Sequence, residues 1–134
     1  MIYPMFAMVI LTFVVMLITV RVRVQSVRRG EVSLSYFSLM QGDKIPSMVT
    51  KTSRHFSNLF EMPLLFYVAG TLYIALDLSI PLAISFAWAF VVTRCLHSGI
   101  HLSYNNVMHR LFVFALSNLC VLALWISIVL AISS

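Results

Sequence analysis

Four apolar runs, at about residues 2–24, 50–76, 81–104 and 107–132, dominate this 134-residue chain. A helix needs about 20 predominantly apolar residues to cross the hydrocarbon of a bilayer, and each run is long enough. Composition agrees: 61% of residues are apolar and 10% charged, against about 45–50% and about 25% in soluble domains. A soluble enzyme, a disordered tail and a nucleic-acid-binding module are excluded on this ground. The expected fold is an all-α integral membrane protein, a four-helix transmembrane bundle forming one domain over residues 1–134. Four single-pass helices leave little room for a private pocket, so a sizeable ligand site is expected to be shared between subunits.

The breaks between runs give the topology. The first run holds no charge from Ile2 to Val20 and stops at Arg21-Val22-Arg23. It lacks a basic n-region and an Ala-x-Ala site, and so reads as a retained anchor rather than a signal peptide. Residues 22–50 form the longest connection and contain Gly30, Gly42 and Pro46; Asp77 to Pro81 and Asn105-Asn106 read as turns. Four crossings put both termini and the 77–81 turn on one side. All nine basic residues, Arg21, Arg23, Arg28, Arg29, Lys44, Lys51, Arg54, Arg94 and Arg110, fall on or toward the other. By the positive-inside rule that second side, with the 22–50 connection, is cytoplasmic. Cys95 and Cys120 sit in apolar runs and read as inert thiols, with no disulfide framework.

Polar residues inside the spans gather at the same end. Arg54, Asn58 and Glu61 are spaced four and three, which places them on one stripe of the second span. Arg94, His97 and His101 repeat that geometry on the third, with Arg94 roughly 20 Å beyond Pro81. His109 and Arg110 open the fourth. Arg28 and Arg29 read as the topology signal and as attractors of anionic lipid. Glu61 precedes fifteen apolar or neutral residues, and an intramembrane carboxylate costs about 2.5–3.5 kcal/mol on insertion scales unless it is paired or wetted. Two readings stand: an ion pair with Arg94 or Arg54 that holds the bundle, or a ligand contact. His97 and His101 share a face, but Cys95 projects elsewhere and only His55 and His109 remain, so no metal site is expected. Pro63 frees the carbonyl of Leu59 just past Glu61.

The run Arg54-His-Phe-Ser-Asn58-Leu-Phe-Glu61-Met-Pro63 resembles the Arg-x3-Asn-x2-Glu-x-Pro signature of the MAPEG family, the membrane-associated proteins of eicosanoid and glutathione metabolism. Length, four spans and the Arg-x-Arg end of the first span extend the resemblance over nearly the whole chain, closest to a short bacterial-type member. Arg94-x2-His97 is similar to the third-span motif of the prostaglandin synthase branch, and Arg110 falls where those enzymes place an arginine. Two positions depart from the pattern. His101 stands where several family enzymes carry tyrosine, with Tyr104 three residues on, and Leu111 follows Arg110 in place of a hydroxyl residue.

The resemblance implies a homotrimer that binds glutathione as cosubstrate between subunits near the cytoplasmic face, and a lipophilic small-molecule partner arriving through membrane lipid. Arg21, Arg23, Arg54 and Arg94 would clamp the glutathione carboxylates, because guanidinium binds carboxylate bidentately. Glu61 would accept the ammonium and Asn58 the peptide, with His97 beside them. An unperturbed thiol has a pKa of about 8.5, so Arg110 is expected to stabilise the thiolate, with His101 or Tyr104 as further catalytic candidates. The implied activity is conjugation of glutathione to lipophilic electrophiles, or reduction of hydroperoxides. A non-catalytic scaffold and a lipid or quinone head-group binder remain the alternatives.

Overall fold

Backbone polar groups cannot be left open in hydrocarbon, so a spanning run stays helical until the chain reaches water and finds a residue that can turn it. The computed structural model describes residues 1–39 and 45–133; Gly42 and Lys44 lie outside the described residues. The first helix, α1, runs Ile2–Arg28, past the expected end at 24. Arg21 and Arg23 end an apolar stretch, not a helix. The stop is at Gly30, whose φ of +68° suits glycine. There the Gly30 N–H donates to Val27 O and the Glu31 N–H to Ser26 O, both at 3.0 Å, closing the last turn in the pattern of a Schellman cap. The connection, read from sequence only as a polar link, contains a short helix α2, Leu34–Leu39.

The long helix α3, Ser47–Ala75, continues through Pro63. It ends at Asp77, which takes a φ of 49° while Leu78 N–H donates to Tyr73 O at 3.1 Å. The Tyr73 hydroxyl then accepts the Ile80 N–H at 3.0 Å, bracing the turn into α4, Pro81–Leu102. Pro81 occupies the first turn, where its missing N–H costs nothing. The last helix, α5, runs Val107–Ser133. Asn106 caps it: its side-chain oxygen accepts the N–H groups of Met108 at 2.9 Å and His109 at 3.2 Å. Four of the helices, α1, α3, α4 and α5, are long and apolar enough to cross a membrane and fit an integral multi-pass protein.

The strongest packing pairs are α4 with α5 and α1 with α3, and α3 and α4 join the two pairs. Apolar burial does not drive helices together in lipid, so close fit and internal hydrogen bonds carry the association. Phe66 and Phe90 stack at 4.6 Å between centroids, with Met8, Leu59, Ala83, Ala87 and Leu124 fully or nearly fully buried around them. Near the termini α1 comes so close to α3 that a Cβ on Gly70 would stand 2.6 Å from Met5 Sδ. Toward the basic end Thr19 bonds its own helix at Val15 O, 2.8 Å away, and reaches Thr52 O at 3.3 Å. Trp125 of α5 donates to Leu65 O of α3 at 3.1 Å. Large apolar side chains such as Phe6, Phe13, Leu17, Leu64, Leu119 and Val129 are left on the outside, where lipid suits them.

Tyr73→Phe removes the acceptor of the Ile80 N–H and should lower stability by about 1 kcal/mol. A thermal melt in detergent, followed by circular dichroism, should register the loss; an unchanged midpoint would show that the turn does not rely on this bond.

Candidate functional site

The stripe predicted on the second span is realised on α3 and forms one wall of a cavity of ≈ 400 Å³ at the basic end of the bundle. Thr50, Lys51, Arg54, Ser57, Asn58 and Glu61 of α3 face His101 of α4, Asn105 of the turn and Arg110 of α5. A second recess of ≈ 230 Å³, more apolar, is lined by Asn58, His97, Val107, Arg110, Leu111 and Phe114. Asn58 and Arg110 line both, so these two side chains stand between a polar chamber and an apolar one.

The local chain explains why these groups are held. Asn105 adopts a φ of 53°, a conformation that asparagine tolerates, and its side-chain oxygen accepts a bond from Arg110 Nη1 at 2.8 Å. The turn thus aims the arginine that opens α5. Lys51 reaches across to Ser103 O at 3.4 Å, tying α3 to the end of α4. Arg94 is completely buried, with Nη2 donating to the Asn58 carbonyl at 2.9 Å and the guanidinium 5.9 Å from the Phe114 ring centroid. It braces the backbone at Asn58 from behind rather than lining either chamber.

Glu61 decides between the two readings of the buried carboxylate. Among the described residues the ion pair within 4.0 Å is Arg29–Glu31, at 3.9 Å. Glu61 pairs with neither Arg54 nor Arg94, and it is exposed on the surface of the chain, in the cavity wall. Among the described residues no ion pair within 4.0 Å holds Glu61, although its charge acts on Arg94 from a longer distance. The cavity sets this acid among Lys51, Arg54 and Arg110, an arrangement complementary to a ligand carrying both signs of charge.

The other sequence candidates are dispersed. Arg23 donates Nη2 to Ser53 Oγ at 3.0 Å and lies 5.5 Å from the Phe37 ring centroid, so it joins α1 to α3 and α2. Arg21 is exposed on α1, outside the cavity. Tyr104 is also exposed, its hydroxyl 3.0 Å from His109 Nδ1, and it does not line the cavity in this chain. His97 lines the apolar recess and His101 the polar chamber. Thr50, Lys51, Ser57 and Asn105 were not anticipated. The first three lie on or beside the face that carries Arg54, Asn58 and Glu61: Thr50 and Lys51 stand one turn before Arg54, and Ser57 falls within the stripe, three residues after Arg54 and four before Glu61. His55 was also passed over as a site residue. It is fully buried, with ring centroids 4.8 Å from His101 and 5.6 Å from His97. Among the described residues no group of three or more His, Cys, Asp or Glu side chains has the geometry to hold a metal ion.

In comparison with protein-family models, the chain matches the MAPEG family over residues 1–130. No curated protein and no solved structure matches it.

Because Glu61 makes no ion pair within 4.0 Å among the described residues, Glu61→Gln should change folding stability by no more than about 0.5 kcal/mol. Loss of one partner from a buried pair would cost about 3–5 kcal/mol. Thermal melts of the two proteins in the same detergent separate these outcomes.

Proposed function

From the premise that this chain belongs to the MAPEG family, we propose that it binds glutathione and transfers the thiolate to lipophilic electrophiles, or reduces hydroperoxides with it. The observation that carries the proposal is Glu61, without an ion pair within 4.0 Å among the described residues, in a cavity that also holds Lys51, Arg54 and Arg110. Glutathione has two carboxylates and an ammonium group. Arg54 and Lys51 are suited to the carboxylates, Glu61 to the ammonium and Asn58 to the peptide. Guanidinium–carboxylate bonds are strong because both partners are charged and their geometries match.

The chemical step needs a sulfur anion. Arg110, tethered by Asn105 at the edge of the cavity, is the group that would stabilise it with its positive charge. The adjoining recess, floored by Val107, Leu111 and Phe114, suits the reactive end of an apolar acceptor arriving from the bilayer. Arg110 borders both spaces, so sulfur and acceptor would meet beside it, with attack favoured by proximity.

We further propose a homotrimer with this end of the bundle on the cytoplasmic side. In such an assembly Arg21 and Arg23, which do not line the chain's own cavity, would serve a neighbouring copy's. Arg94 would act through the Asn58 backbone that it holds, and Tyr104 would take no part in the chemistry unless the assembly reorients it.

Purified protein in detergent should bind glutathione with a Kd of about 1 mM or tighter. Arg54→Ala or Glu61→Ala should weaken binding by at least about tenfold, consistent with loss of a charged hydrogen bond worth about 1.5–3 kcal/mol, while the protein elutes at its wild-type size. Calorimetry that records no glutathione binding by the wild-type protein would refute the proposal. Arg110→Ala should retain binding but lose the ultraviolet absorbance of bound thiolate; undiminished absorbance would transfer the activating role to His101.

A further inference from the structure

Three imidazoles lie inside the basic end of the bundle, and the roles proposed so far leave one of them, His55, without a function. Its ring is fully buried, and neither of its nitrogens has a hydrogen-bond partner. His97 and His101 are each 2% exposed, and Nδ1 of each is likewise buried without a partner. A neutral imidazole carries one donor and one acceptor, and leaving a buried polar group unsatisfied is costly. Four such atoms in one cluster therefore require a reason. Metal ligation is not that reason, since the rings do not have the geometry for it.

The positions of the rings supply one. His101 lines the polar chamber and His97 the apolar recess, while His55 sits against both, with centroids 4.8 Å and 5.6 Å away. His97 and His101 are themselves 5.8 Å apart. We infer that His55, His97 and His101 form a proton relay joining the two chambers, with His55 as the link. The inference rests on the glutathione reading for the identity of the proton donor and names the reaction class as addition.

The proton balance closes without a further reactant. The thiol S–H bond breaks as an N–H bond forms on His101. A proton then passes from His101 to His55 and from His55 to His97. The sulfur forms a C–S bond with an electron-poor carbon of the acceptor, and His97 delivers a proton to the acceptor atom that receives the displaced electron pair. The net reaction is addition of S–H across a polarised multiple bond. Neither ring nitrogen of His55 is hydrogen-bonded to its neighbours, so each hop requires a ring rotation or a bridging water. Arg94 on α4 and Arg110 on α5 act electrostatically on His55 and His97, and Arg110 and Lys51 of α3 on His101.

The test uses full-length protein in lipid nanodiscs, labelled with 15N-histidine. Ring-nitrogen shifts are followed across about pH 3–9, a span that takes in buried as well as free imidazoles, with the signals assigned by single substitutions. In wild-type protein the three rings should give coupled, non-single-site curves. His55→Phe should move the midpoints of both His97 and His101 by about one pH unit. A stopped-flow arm should find thiolate formation slowed about 100-fold in His55→Phe, within the range that proton transfer contributes to catalysis, at unchanged glutathione affinity. His55→Gln, polar but without a titrating ring, should behave in the same way, and wild-type curves decide the matter should either variant fail to fold. Independent single-site titration of the three wild-type rings would overturn the relay, as would an unslowed thiolate step in a folded variant. Absence of glutathione binding by wild-type protein would instead remove the glutathione reading, while the NMR arm still reports whether the rings share a proton.

Discussion

The exclusion of water from the bilayer governs this protein. Inside hydrocarbon a polar group must find its partner within the protein or stay near an interface. Small hydroxyl residues meet the first condition locally. Thr19, Thr93, Ser98 and Ser117 each return a bond of 2.8 Å to a carbonyl of their own helix, which lets them sit at helix contacts without an open polar atom. Larger polar groups meet the second. Arg54, Asn58, Glu61, His101 and Arg110 all border one cavity at one end of the bundle.

Arg94 is the exception that organises the end. It is the largest of the completely buried side chains, and its bond to the Asn58 carbonyl crosses from α4 to α3. Behind the cavity wall, that bond fixes the turn of α3 that carries Asn58 and, one turn on, Glu61. Asn105 does the same for Arg110 from the other side. The two chambers therefore meet across Asn58, whose backbone is held by Arg94, and Arg110, whose guanidinium is held by Asn105. Such preorganisation is what a site needs if its charges are to act on a ligand without first rearranging.

Much of this was legible from spacing. A three-or-four repeat of polar residues on an otherwise apolar helix has few physical meanings, and on α3 it marked the cavity wall correctly. The harder residues were those whose surroundings come from another helix. Arg94 and His97 share a stripe in sequence, yet Arg94 is spent on a backbone carbonyl while His97 reaches a recess. Arg21 and Arg23 read as a pair, but α1 turns Arg23 toward Ser53 and Phe37 and leaves Arg21 exposed. His55 sits next to Arg54 in the chain but points about 100° around the helix from it, which buries His55 and leaves Arg54 exposed. Its value depends on two rings that come from α4.

Local chemistry alone settled the four spans, the turns between them and the collection of positive charge at one end. Apolar length, proline, glycine and asparagine act over a few residues, and the cost of charge in lipid does not depend on the details of packing. The helix neighbours were decided by tertiary structure: α4 against α5, α1 against α3, and Arg94 beneath Asn58. Contacts between helices arise from the rotation and approach of two surfaces, which no single stripe encodes. The place of Glu61 in the cavity wall and the meeting of three imidazoles belong to that second class, because each depends on distances between residues far apart along the chain.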